Sequence, residues 1–155
     1  MNGKRGIAPL LATALLIVLA IGLGVVVMNF GRAQIEVAAQ CSVDIGLKAV
    51  ALGGRQQLCL DRATDQLFFI VENGKHLPIE SLRLRVIGEK AILAQDLESS
   101  RIDKEGTLLM YVPYPFAQYG QIRQVRLTPQ VSLYDEVISC AEQALTIENV
   151  RDCES

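Results

Sequence analysis

Histidine is almost missing from these 155 residues: His76 stands alone. No two of the four cysteines, Cys41, Cys59, Cys140 and Cys153, form a C-x-x-C pair. A zinc site therefore has neither its usual thiolate pair nor a second imidazole. No Asn-x-Ser/Thr sequon occurs, so sequon-dependent N-glycosylation is not expected. Basic charge is in deficit as well. Residues 31–155 hold 13 basic and 17 acidic groups, net −4, which gives no electrostatic footing for nucleic acid. Internal repeats and low-complexity linkers are also lacking. Apolar residues, in contrast, make up 50% of the chain, which excludes a disordered or collagen-like polypeptide.

That apolar excess is concentrated. Residues 7–30 contain 19 apolar side chains out of 24 and no charge. At about 1.5 Å per residue, such a helix reaches about 36 Å and crosses a hydrocarbon core of about 30 Å. Only one such segment exists, so a polytopic membrane protein is excluded. Lys4 and Arg5 precede it and Arg32 follows. This bias favours a cytoplasmic N-terminus and an external C-terminal domain. A cleaved secretory signal fits less well, because the run is longer than usual and Val26 to Phe30 offer no small-x-small site. A plain signal anchor fits the same physics.

The residues before the run add a third reading. Lys4-Arg5-Gly6 lead directly into Ile7-Ala8-Pro9-Leu10-Leu11. This short basic leader ending in Gly, followed by an uncharged apolar helix, resembles the class III signal peptide of archaeal type IV pilins. The resemblance covers residues 4–30. It implies cleavage by a prepilin peptidase between Gly6 and Ile7, with the helix kept on the mature protein. Ala8 and Pro9 match the small residue and proline that often follow the cut in that family. Leu11 stands where bacterial type IV pilins usually carry Glu, which favours the archaeal branch. Archaellins, with their commonly Gly-rich start, are a close alternative. Independently of any family, Pro9 falls in a first helical turn, where its missing N–H costs no hydrogen bond. Gly22 and Gly24 lower helix propensity by about 1 kcal/mol each. They also allow neighbouring helices to approach closely.

The run from Gly31 to Gln40 has no proline and is rich in Ala, Gln and Glu, so the helix is expected to continue to about Gln40. From Cys41 the period changes to two. Val43, Ile45, Leu47, Ala49 and Ala51 alternate with mostly polar neighbours, which predicts one strand. Further strands are expected at Leu58–Leu60, Leu67–Val71, Leu82–Val86, Ala91–Leu97, Leu108–Val112, Ile122–Leu127, Val131–Tyr134 and Leu145–Val150. Gly53-Gly54, Asn73-Gly74 and Thr128-Pro129 read as breaks. The fold class is therefore α+β: a long N-terminal helix, then an antiparallel β-sandwich of immunoglobulin-like size. The resemblance implies the same plan. Residues 1–6 form the leader, 7–40 the helix and 41–155 the sandwich.

Four cysteines outside the apolar run suggest two disulfides in an external compartment. Loop-closure entropy slightly favours Cys41–Cys59 with Cys140–Cys153. A bridge from the start to the end of the domain, Cys41–Cys153, remains open. No enzyme constellation is found: no catalytic residues, no metal ligands and no cofactor are expected. His76 lies in a loop, and Ser139-Cys140 lacks a nucleophile signature. Asp61/Asp65 and Asp96/Glu98 read as loop or solvent-face carboxylates, and Glu98–Glu105 as a solvated loop. Arg83 and Arg85 read as an exposed strand face. Tyr111, Tyr114, Phe116 and Tyr119 gather beside Pro113 and Pro115, either as a strand end or as an exposed aromatic patch for contact or adhesion.

Taken with the resemblance, the expected function is a structural pilin of an archaeal surface filament. The resemblance implies a homopolymer through residues 7–40, residence in the membrane before assembly, and prepilin peptidase and assembly machinery as partners. The alternative is a membrane-anchored external adhesin or binding domain, or a minor pilin.

Overall fold

The computed structural model describes residues 7–133, 135–148 and 150–153. Ile7–Ser42 form one helix, α1, which ends two residues beyond the expected Gln40. Gly31 does not interrupt it, since a helical glycine costs only about 1 kcal/mol within a long favourable run. The chain divides into two compact units, residues 1–39 and 40–155. Cys41, in the last turn of α1, belongs to the second unit.

Within the second unit, strands dominate. The first sheet is built around β5 (Gln66–Glu72). Along one side of β5 runs β8 (Thr107–Pro113); along the other lie β4 (Leu58–Asp61) and β1 (Lys48–Ala49). The second sheet follows the order β7 (Ile92–Leu97), β6 (Ser81–Gly88), β9 (Ile122–Leu133). Both β10 (Glu136–Ser139) and β11 (Leu145–Glu148) pair with the outer side of β9. A small hairpin joins β2 (Ala51–Leu52) to β3 (Arg55–Gln56) through Gly53 and Gly54, both at positive φ. That conformation is the one a two-residue turn of right-handed twist requires. Pairing is antiparallel throughout except at β12 (Arg151–Asp152), which lies parallel to β4. The expectation of a wholly antiparallel arrangement is corrected there.

Alternation in the sequence decides which faces are buried. β5 sends Leu67, Phe69 and Val71 inward, and β6 sends Leu82, Leu84 and Val86. These side chains, with Val125, Leu127 and Ile147 of the second sheet, belong to one apolar core shared by both sheets. Full burial of each such side chain contributes about 1.5–3 kcal/mol.

Two expected elements come out differently. The predicted strand from Val43 to Ala51 is not one strand. Asp44 Oδ1 accepts the Gly46 N–H at 2.9 Å, and Gly46 sits at φ +72°, so the backbone turns. Ile45 is buried there, its carbonyl accepting the Gly74 N–H at 2.9 Å. Local turn chemistry has overridden the alternation. The break expected at Thr128-Pro129 is also absent, because β9 runs through it. The Gln130 carbonyl accepts the Glu80 N–H, so Gln130 faces β6 and Pro129 faces the opposite side. On that side the Cys140 N–H, just past β10, donates to the Pro129 carbonyl at 2.9 Å, and the Cys140 carbonyl takes the Gln143 N–H at 3.1 Å, so no acceptor waits for the missing proline N–H.

The cysteines pair as Cys41–Cys140 and Cys59–Cys153, over sequence separations of 99 and 94 residues. Neither the short-loop pairing nor Cys41–Cys153 is formed. The reason is topological. Cys59 lies in β4, and β12 brings the chain end alongside it, with the Cys153 N–H on the Leu60 carbonyl at 2.9 Å. Cys140 follows β10, and its Cα stands 5.2 Å from that of Cys41. Strand order, which loop entropy does not see, sets the partners. A non-reducing digest should yield peptides joined 41–140 and 59–153; a 41–59 peptide would refute this pairing. Replacing Cys59 and Cys153 together by Ala should lower the stability of the β region by about 2–5 kcal/mol, read by thermal or denaturant unfolding.

Candidate functional site

The feature without a place in the core is the apolar part of α1. Leu10–Arg32 forms a segment long and apolar enough to cross a membrane, and none of it is buried within the chain. Leu, Ile, Val, Met and Phe side chains stand exposed along its whole length, on every side of the helix. Its polar groups are few. The Thr13 hydroxyl donates to the Leu10 carbonyl at 3.0 Å, a back-bond that spares it an external partner. Asn29 is exposed near the far end of the run. A Cβ added at Gly22, Gly24 or Gly31 would meet nothing within 4 Å. No contact within the chain requires glycine at those three positions. Of the two residues at the expected cleavage point, Ile7 opens α1, and Gly6 lies outside the described residues.

The end of α1 is firmly held. Besides the Cys41–Cys140 bridge, Gln143 Nε2 donates to the Cys41 carbonyl at 3.2 Å. Helix C-terminal carbonyls lack intrahelical partners, and this side chain supplies one. Gln143 closes a 3-10 turn, Ala141–Gln143, directly after Cys140. The bridge and the cap therefore come from one short segment.

The other residues singled out in the sequence serve the fold. His76 is exposed, with Nδ1 3.0 Å from the Asp44 carbonyl. Asp61 accepts the Ala63 N–H and the Thr64 hydroxyl, which shapes the turn before β5. The Thr64 hydroxyl, more than any other group, holds the Asp61 carboxyl below its usual range. Asp96 takes a two-pronged contact from Arg83, at 2.7 and 3.1 Å, across β6 and β7. That guanidinium lowers the Asp96 carboxyl in the same way. Arg83 and Arg85 stand on the exposed face of β6, as expected. Among the described residues, no three of His, Cys, Asp and Glu gather to hold a metal ion.

The aromatic cluster is split by burial. Tyr114 is fully buried and donates its hydroxyl to the Gly120 carbonyl at 3.0 Å. Burial also pushes that phenol's pKa up. Tyr119 stacks on it at 5.3 Å. Phe116, in the short helix α2 (Phe116–Tyr119), lies under the Arg62 guanidinium at 4.6 Å. Only Tyr111 remains exposed, beside Phe68 on the outer face of the first sheet. The strand-end alternative describes most of the cluster, and the exposed patch shrinks to Tyr111 and its neighbours. What the sequence reading passed over is that β8 forms an open sheet edge. Its signal was available: no charge occurs from Gly106 to Ile122.

No protein-family model, curated protein or solved structure matches this chain.

The depressed carboxyls of Asp61 and Asp96 have a consequence for acid stability. A carboxyl whose folded pKa lies below its unfolded value of 3.8 stabilises the fold above that value, and the contribution is lost as pH falls through the folded pKa. These two exposed carboxyls should therefore leave the unfolding midpoint of the β region unchanged between neutral pH and pH ~5 and add a small decline below pH ~4. Asp96→Asn should make that acid slope shallower. An unchanged slope in the variant would show that the Arg83–Asp96 pair plays no part in it.

Proposed function

We propose that this chain is a structural subunit of a surface filament of the archaeal type IV pilus kind, polymerising through residues 7–40. One observation carries the reading. α1 is apolar on every side over Leu10–Arg32, and its glycines at 22 and 24 answer to nothing in its own chain. A glycine that weakens a helix by about 1 kcal/mol and gains no contact at home is best explained by a neighbour that needs the space. The Lys4-Arg5-Gly6 leader supports the same reading through its resemblance to class III signal peptides.

In this reading the helix has two successive environments. Before assembly lipid covers it, with the β region outside the cell. After a prepilin peptidase cuts between Gly6 and Ile7, the assembly machinery extracts the subunit, and copies of α1 cover one another in the filament core. The β region, read as an immunoglobulin-like sandwich, then forms the outer surface. Two disulfides suit that external position. The role is structural and needs no catalytic group or cofactor.

Three experiments test this. Mass spectrometry of the surface protein should find Ile7 at the N-terminus; a retained residue 1–6 leader would overturn the assignment. Gly24→Leu keeps the segment apolar and favours helix by up to about 1 kcal/mol. It should leave membrane insertion intact while sharply reducing filament yield, as counted by electron microscopy. Wild-type yield in that variant would remove the packing argument. The uniform apolarity of α1 also suits a permanent anchor for an adhesin domain. Label carried by this chain along whole filaments supports the major-subunit reading, label at tips a minor pilin, and label on the cell membrane alone the anchor.

A further inference from the structure

Among the described residues, β8 is hydrogen-bonded along one side only. The Tyr114 N–H donates to the Asp65 carbonyl at 2.7 Å, and the Asn73 N–H to the Gly106 carbonyl at 2.9 Å. These two bonds flank the β5–β8 ladder and fix its phase: even-numbered residues of β8 face β5. Thr107, Leu109 and Tyr111 therefore turn their N–H and C=O groups to the open side, where no described strand pairs. Their side chains lie on the outer face of the sheet, Leu109 53% and Tyr111 58% exposed.

Sheet edges are normally blunted by charge, proline or a bulge, because a bare edge is a template for another strand. β8 has Pro113 at its end and nothing else of that kind. The charge-free stretch from Gly106 to Ile122 contains the whole of it. This neutrality bears on the identity of the occupant. Facing copies of a charged strand would set like charges opposite each other, which destabilises a sheet pair. Residues 31–155 carry net −4, so two copies have the same sign of net charge. β8 is where they can meet without that cost. An antiparallel pair with Leu109 opposite Leu109 sets Thr107 against Tyr111 on both sides. It leaves Pro113, which has no N–H to give, outside the ladder.

We propose that β8 is a docking edge for a second copy of this chain, through antiparallel pairing of the two β8 strands. Such a contact is two-fold symmetric and closes on itself. If the filament reading holds, the contact does not repeat along a polar filament, whose subunits are related head to tail. It would instead join subunits of two separate filaments side by side. That last step rests on the filament reading; the β8 contact does not.

The test uses the full chain purified in detergent micelles, which requires no filament. Hydrogen-bonded antiparallel partners have Cα atoms about 5.5 Å apart, within the about 4.4–6.8 Å that a disulfide spans. Leu109→Cys should therefore convert largely to a covalent dimer under mild oxidation, while Arg85→Cys, on the outer face of the other sheet, stays monomeric. Leu109→Lys, at an exposed position, should weaken self-association by at least about tenfold. Cross-linking of Leu109→Cys no faster than of Arg85→Cys would overturn the proposal. So would unchanged self-association in Leu109→Lys, which would place the contact elsewhere, as on α1. A Leu109→Cys chain that links only to a different protein in cells would refute the second-copy assignment. If the Leu109→Cys dimer forms while cells make no filaments, the β8 contact stands and the filament reading fails.

Discussion

An apolar helix that its own chain leaves uncovered exists only where something else covers it. Between Ile7 and Phe30 stand 19 apolar residues. Each large one left in water forgoes about 1.5–3 kcal/mol. The sum exceeds the net stability of an ordinary domain, about 5–15 kcal/mol. Water is therefore a poor environment for α1 over Leu10–Arg32. Residues 40–155 have an apolar core of their own, shared by two sheets. Lipid and the apolar faces of other helices are both environments that meet the demand of α1.

Much of this organisation was readable from residue order. The uncharged run at 7–30 and its continuation through Gly31 depend on local composition, and α1 follows them closely. β5 and β6 follow the period-two pattern, because each has one face on the core. Where the reading failed, the deciding partner was distant in sequence. Pro129 is tolerated inside β9 because the Cys140 carbonyl opposite its missing N–H is taken by Gln143 instead, which no local pattern announces. The cysteine partners depend on β12 returning beside β4, across more than ninety intervening residues. Ile45 shows the reverse case: its burial was anticipated, but the Asp44–Gly46 turn makes it a loop residue and not a strand residue.

The candidate site was legible to a different degree. The apolar segment and its leader are one-dimensional signals, so the sequence carries them in full. The aromatic cluster is not. Tyr111 and Tyr114 are three residues apart on paper, yet one is exposed and the other fully buried. The difference follows the alternation of β8: Tyr114, its N–H still on the Asp65 carbonyl, keeps the inward phase of Val112, and Tyr111 falls on the outer face. A hydrophobicity count cannot separate two tyrosines on opposite sides of a strand end.

The interlaced disulfides also define how tension would travel through this chain. A pull between α1 and the chain end near Cys153 enters at Cys41 and crosses at once to Cys140 through the first bridge. From there the backbone between Cys140 and Cys153 carries the load. The long stretch from Ser42 to Ser139, which holds most of the core strands, is bypassed. Under force the β region would yield only the short slack of its last segment, and most of its strands would keep their partners. The covalent path limits how far the β region of the chain can be drawn out, while its fold is held by ordinary, reversible contacts.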